Sequence, residues 1–498
     1  MNKYFYLLPM LSLPLQALTV ETRATHGVFY AGLEKQVCLQ IQVKANASEA
    51  GQKIKSLSFT TGKSTKKTDI TKARLYKSSR NYFTLNTGAE EATGIKAAQV
   101  GEVAATSGSG TFSNPDITLS EGVNYLWLVY DIASNAKGDN KIDGVCTEVC
   151  VGSSKVTPEA KMGTYVKKRE YGKVYPFKYR IVPYYRTKWI TGWGAHSLTS
   201  THFKSYTDLI HFGYSLNEDG EVVPQWDARN EGTIESGNQN NADALALLKE
   251  VRGSAKCSII AGLGHIDGGI SSFYRNCNGN RNKMKAVAKN IAKLLVENGY
   301  DGVDIDWEYP GDDGYDAGED WQYHTYLIAD LREELAGTNK SISIASTVWY
   351  KIPWHEVADQ LDFLNTMSYD SQDDNHAPMW LFQNDCSYHC HTYLRMPKIK
   401  VVGGLPFYTN GKGYIGDQYG WNGVVSQYPN LSPSVNEAVV NSVLVTFNGP
   451  NMIKDKAKWV KDNGYGGVMI WSCDNDLPLT HKMSLGKALF SVMKQTKR

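Results

Sequence analysis

The chain has 498 residues, too many for one ordinary core, so two or three domains are expected. Its 53 basic and 51 acidic residues nearly cancel, which excludes an electrostatic case for nucleic acid or an anionic membrane surface. A hydrophobic share of 42% is ample for globular cores, and 12 Trp with 30 Tyr supply rings that pack cores or face the apolar side of sugars.

The first residues, MNKYFYLLPMLSLPLQA, join a basic start at Lys3 to an apolar run and a small residue at Ala17. They read as a secretory signal peptide over residues 1–17, too short to span a bilayer; a buried N-terminal strand is the competing reading. No later segment could span a membrane, so the expected location is secreted or periplasmic. Eight cysteines in an exported chain suggest some disulfides, with Cys146 near Cys150 and Cys386 near Cys390. The stretch CSYHCH, from Cys386 to His391, has atoms suited to zinc. It lacks a second half, so a loop disulfide or buried free thiols fit better.

Residues 18–153 lack long amphipathic helices. Short runs such as QVCLQIQV, SLSFTT and YLWLVYDI, separated by Gly, Ser, Asn and Thr, predict a β-sandwich. AATSGSGTFSN reads as a surface loop within it. The polar stretch that follows, residues 154–177, predicts a linker.

From residue 178 to 498 the texture changes. Strand-like runs alternate with helical patterns: YRIVPYY, DLIHFGY, CSIIAGL, GVDIDW, SISIAST, FLNTMSY, IKVVGGL and GGVMIWS. After the third run, Met284, Val287, Ile291, Leu294 and Leu295 form one helical stripe, and Gly299 is a stop signal. Eight strands mostly separated by helices predict an α/β fold, a (β/α)8 barrel, with active residues at the C-terminal strand ends.

The fourth run continues as DGVDIDWEYP, where Val303, Ile305 and Trp307 alternate with Asp304, Asp306 and Glu308. On a strand the three carboxylates share one face, about 6–7 Å apart in succession. A solvated acidic face is hard to place, because parallel barrel strands meet helices on one side and the barrel interior on the other. A divalent-metal site is the second reading, but calcium loops put Gly and polar residues between ligands, whereas Val, Ile and Trp hold an extended strand. Acid/base chemistry is the third. Crowded, buried carboxyls have raised pKa values, so one can stay protonated and donate to a leaving group, as cleavage of a glycosidic bond requires.

DGVDIDWEYP resembles the D-G-x-D-x-D-x-E signature of glycoside hydrolase family 18, in its chitinase-like form ending E-Y-P. MSYD (Met367 to Asp370), GLPFY (Gly404 to Tyr408) and GGVMIWSCDND (Gly466 to Asp476) extend the resemblance over about residues 178–495. It implies substrate assistance, in which the 2-acetamido oxygen of an N-acetylglucosamine attacks its own anomeric carbon, with no metal or organic cofactor. By this resemblance Glu308 is the general acid and then base, Asp306 orients the acetamido group, and Asp304 shares a proton with Asp306. Tyr369 would bond the acetamido oxygen, with Met367 on the same inward parity, and Trp471 would floor the sugar site. Asp370, Tyr408 and either Tyr184 or Tyr185 are further substrate contacts, while Asp301 and Gly302 shape the strand entry. The implied partners are N-acetylglucosamine glycans, as chitin oligomers or, alternatively, as the N-glycan core cut by an endo-β-N-acetylglucosaminidase. A catalytically dead lectin on the same barrel is the third possibility, and retention of Glu308 speaks against it.

Two features depart from the family pattern. AGLGH (Ala261 to His265) replaces the usual S-x-G-G-aromatic third strand, which removes an expected sugar platform. About 60 residues between the seventh and eighth strands leave no room for a large inserted wall, so the cleft is expected to be open. The N-terminal region resembles the β-domain preceding some bacterial sialidase catalytic domains, with glycan binding and a spacer role both open. Its single Trp, Trp127, argues against a flat aromatic face for crystalline chitin.

Overall fold

The computed structural model describes residues 18–85, 96–187, 198–225, 233–264, 267–310, 317–347, 354–416 and 418–497. The leader-like residues 1–17 and His265 lie outside these.

The predicted N-terminal runs become strands Gln36–Ala45, Ile54–Thr60 and Gly122–Ile132. A six-stranded and a four-stranded sheet face each other around Ile41, Leu57, Phe59, Leu75, Leu128 and Val149, all buried. The predicted loop AATSGSGTFSN is instead partly strand: Ser109–Ser113 pairs antiparallel with Ile54–Thr60. Phe112 decides this, since it is the one large apolar residue in the run and stacks on Phe59 at 5.4 Å. The expected linker is also threaded into sheets. Ser154–Val156 pairs with Val145–Val151, Glu159–Ala160 with Thr19–Ala24, and Gly172–Val174 with Val28–Phe29. Its backbone groups find partners on exposed strand edges, which polarity alone does not reveal.

A nine-stranded sheet comprises one antiparallel strand, Val222–Pro224, and eight parallel strands that close on themselves. In chain order these are β1 (Arg180–Arg186), β2 (Asp208–Leu216), β3 (Ser258–Gly264), β4 (Gly302–Asp306), β5 (Ser341–Ser346), β6 (Phe363–Thr366), β7 (Val401–Pro406) and β8 (Gly467–Trp471). Closure is made by β1, which pairs with both β2 and β8. All eight coincide with the predicted runs. The helix Arg281–Asn298 buries Met284, Val287, Ile291 and Leu295 of the predicted stripe, while Leu294 is only partly buried. It stops at Gly299, whose φ of +67° is left-handed backbone suited to glycine. Among the described residues no helix is long and apolar enough to cross a membrane.

The sandwich meets the barrel at the N-terminal strand ends. Arg180, the first residue of β1, is buried between the rings of Tyr175 and Phe363 and pairs with Asp208 at 2.7 Å. It also donates to the Tyr30 hydroxyl at 2.8 Å, and Tyr30 donates in turn to the Asp362 carbonyl at 2.6 Å. The opposite, C-terminal face is left to the site.

Between β7 and β8 lies an element not expected from sequence. Asn410–Gly411, Glu437–Val440 and Val443–Thr446 form a three-stranded antiparallel sheet beside the barrel mouth. Its strands are only two to four residues long, too short to separate from loop by periodicity.

The eight cysteines are free thiols, contrary to the expected disulfides. Cys146 and Cys150 lie on one strand, four residues apart, or about 13 Å at strand rise. That is about twice the reach of a disulfide. Cys386 and Cys390 are packed into the barrel's outer core, and His391 bonds the Met396 carbonyl. CSYHCH is therefore a buried-thiol segment, and among the described residues no group of three or more His, Cys, Asp or Glu could hold a metal ion.

Candidate active site

Strand β4 sorts its side chains as the alternation predicts. Val303, Ile305 and Trp307 pack into the core between strands and helices. Asp304 and Asp306 point into the barrel, buried, and Glu308 follows two residues past Asp306, partly exposed. On β3, Gly262 is in register with Asp304, and Gly264 with Asp306. A Cβ on Gly264 would lie 2.0 Å from the Phe212 ring, so β2 fills the room that β3 vacates. Asp301 and Gly302 sit at the strand entry. Asp301 accepts from the Ile259 amide at 2.9 Å, and a Cβ on Gly302 would stand 2.2 Å from Ser341 Oγ.

Asp304 has three donors: Tyr184 hydroxyl at 2.5 Å, Ser343 Oγ at 2.6 Å and Asn365 Nδ2 at 3.2 Å. Burial nevertheless pushes its carboxyl up to about 6, against the pull of these bonds. A raised pKa means the folded state holds a proton that the unfolded chain releases near 4. Its contribution to stability is therefore full below about pH 4 and is lost as pH rises through about 6. We expect the stability difference between Asp304→Asn and wild type to move in the mutant's favour by up to about 3 kcal/mol between pH 4 and 7. Urea unfolding at both pH values measures this, and a difference that stays constant would refute it.

Four phenols face the acidic row. Burial, with Asp304 and Asp306 nearby, raises Tyr184 well above its ordinary value. Burial also raises Tyr369, reinforced by Asp306, Asp370 and Glu308, and Tyr309, reinforced by Glu308. Tyr408 is raised by burial and by Asp370. All four stay protonated and able to donate. Tyr369 lies against β7, where a Cβ on Gly404 would approach its ring to 3.0 Å and the Thr366 carbonyl to 2.2 Å. The glycine of GLPFY thus gives Tyr369 its place.

Trp471 ends β8, with its ring edge-on to Tyr184 at 5.3 Å and to Phe212 at 5.1 Å. The Arg186 guanidinium lies 6.0 Å from the same ring and is paired with Asp474. These neighbours fix the indole plane.

The structure brings nine of the sequence-predicted residues together. Asp306, Glu308, Met367, Tyr369, Asp370, Tyr408, Tyr184 and Trp471 line one cavity of about 500 Å³, and Asp304 lies directly beneath. Tyr185 is not brought there, because it faces the opposite side of β1 and belongs to the outer core, its ring 6.5 Å from that of His211. Tyr309, Ala345, Thr347, Ile415 and Gln418 complete the lining. Ser343 and Asn365 reach Asp304 without being among the residues expected from sequence. The available signal was a polar residue on the inward parity of a barrel strand.

The family model for glycosyl hydrolases family 18 matches residues 180–476, β1 through the turn after β8. Endochitinase 1 of Metarhizium robertsii is 25% identical over 239 residues, covering 38% of this chain and 55% of that protein. The endochitinase of Manduca sexta is 23% identical over 370 residues, 60% of this chain and 64% of its own length. The chain thus spans between half and two thirds of these curated relatives. A chitinase from Bacteroides thetaiotaomicron superposes with a TM-score of 0.51 at 22% identity, over 63% of this chain and 96% of that one, a likeness of fold. Because the family match takes in well over half of the 498 residues and contains the whole acidic strand, the chain belongs to glycosyl hydrolases family 18.

Proposed function

We propose that the protein is a retaining hydrolase of β-1,4-linked N-acetylglucosamine, working by substrate assistance. The observation that carries this reading is the convergence of Asp306, Glu308, Tyr369 and Trp471 on one cavity at the C-terminal strand ends. Glu308, partly exposed there, protonates the leaving oxygen and then activates water. Asp306, beside buried Asp304, holds the acetamido group as positive charge develops, and the protonated Tyr369 donates to its oxygen. The Trp471 indole, held edge-on by Tyr184 and Phe212, offers its face to the sugar.

In this reading residues 1–17 direct export. For the N-terminal sandwich, the spacer role is better supported than glycan binding. Its one Trp, Trp127, is 3% exposed and donates to Ser78 Oγ, so it offers no ring to a sugar. The likeness to the β-domain before sialidase catalytic domains stands as part of the same proposal.

Chitotetraose and a high-mannose glycoprotein, offered side by side, test the substrate class. We expect chitotetraose to be cut, mainly to the disaccharide, with weak action on crystalline chitin. Release of intact glycan without cleavage of chitotetraose would favour an endo-β-N-acetylglucosaminidase instead. Binding without cleavage of either would favour a lectin.

A further inference from the structure

The cavity wall built after β6 and β7 converges on a single carboxylate oxygen. Asp370 Oδ1 accepts from the Tyr408 hydroxyl and from Asn410 Nδ2, and His376 Nδ1 lies 3.4 Å away. Asp370 itself has φ of +63°, left-handed backbone that an aspartate tolerates better than most residues. The loop that follows it is stitched to the small inserted sheet. The His376 amide donates to Thr446 Oγ1 at 3.0 Å, Asn375 Nδ2 to the Phe447 carbonyl at 3.0 Å, and Asn448 Nδ2 to the Ala377 carbonyl at 3.0 Å.

Asn410 is the side chain common to both halves of this wall. It is fully buried, a placement that an amide tolerates only when its donors and acceptor are used. Its Nδ2 goes to Asp370, and its Oδ1 accepts from the Gly416 amide at 3.1 Å. The Gly411 amide closes the same turn onto the Gly416 carbonyl at 2.9 Å. That turn carries Ile415, 53% exposed and lining the same cavity. One amide therefore grips a polar cavity residue and the turn that brings an apolar one.

We infer that Asn410 is a positioning residue for substrate binding: its amide holds Asp370 by Oδ1, leaving Oδ2 for a sugar hydroxyl, and holds the 411–416 turn against the same sugar. This rests on the proposed hydrolysis of N-acetylglucosamine oligomers. Asn410→Asp keeps the size and the bond from Gly416 but sets a carboxylate against Asp370. It raises KM for chitotetraose by about tenfold, the size of one hydrogen bond to a charged group, and changes kcat far less. A residue that served stability alone would not divide KM from kcat in this way.

The test is a double-mutant cycle on chitotetraose with wild type, Asn410→Asp, Asp370→Asn and the double variant. In the Asp370→Asn background the carboxylate is gone, and Asn410→Asp is expected to add less than about twofold to KM. Asn410→Ser, which introduces no buried charge, reads the same coupling should Asn410→Asp fail to fold. Independent effects that multiply, or loss of kcat at unchanged KM, would overturn this inference alone. A wild-type protein inert on chitotetraose would instead overturn the functional reading, and this inference with it.

Discussion

Glu308→Gln is expected to lower turnover on chito-oligosaccharides by about 10²–10⁴-fold, the usual contribution of a general acid. The exchange is isosteric, and Glu308 lies past the end of β4 at the cavity edge rather than in a packed layer, so the fold is retained. Sugar binding is retained as well, because Trp471 and Tyr369 keep their neighbours. Steady-state kinetics and a binding titration on the same preparation check both halves. Hydrolysis near the wild-type rate would remove Glu308 from the acid role, and with it the meaning given to the acidic row.

A fully deacetylated glucosamine oligomer is expected to remain uncut under conditions in which its acetylated counterpart is consumed. The reason lies in which groups reach the reacting carbon. Retaining hydrolysis needs a nucleophile across from the acid, ordinarily a second carboxylate about 5 Å away. Here Asp304 and Asp306 stand on β4 with Glu308 two residues beyond, and Asp304 is committed to Tyr184, Ser343 and Asn365 beneath the cavity. In the proposed mechanism the substrate's own acetamido oxygen supplies the nucleophile, with Asp306 and Tyr369 holding it. The first product should be the β-anomer, visible by proton NMR within minutes of mixing. Initial α-product would mean inversion and would overturn the role of Asp306.

The acidic row could be located from sequence because its constraint is local. Val303, Ile305 and Trp307 dictate an extended strand, and period-2 geometry then puts Asp304, Asp306 and Glu308 on one side wherever that strand ends up. The same parity links Met367 to Tyr369 past the end of β6. On β1 it fails, because YRIVPYY is apolar on both faces and a strand buried on both sides carries no alternation. Register alone decided that Tyr184 meets Asp304 and that Tyr185 meets helices.

What the sequence determined by itself was the order of the elements: eight strand runs, a helix closed by Gly299, and a β-rich region ahead of them. These follow from periodicity and from glycine's backbone freedom, which act within about ten residues. Only the tertiary structure decided which distant side chains share a ring edge or a hydrogen bond. Ser343 and Asn365 reach Asp304 because β4, β5 and β6 are neighbours in a closed sheet. Asn410 reaches Asp370 because the insert after β7 folds back over the loop after β6. The polar stretch at 154–177 became strand only where other edges offered partners. Hydrogen bonds between residues far apart in the chain depend on where the hydrophobic cores bring the backbone, and no local pattern carries that information.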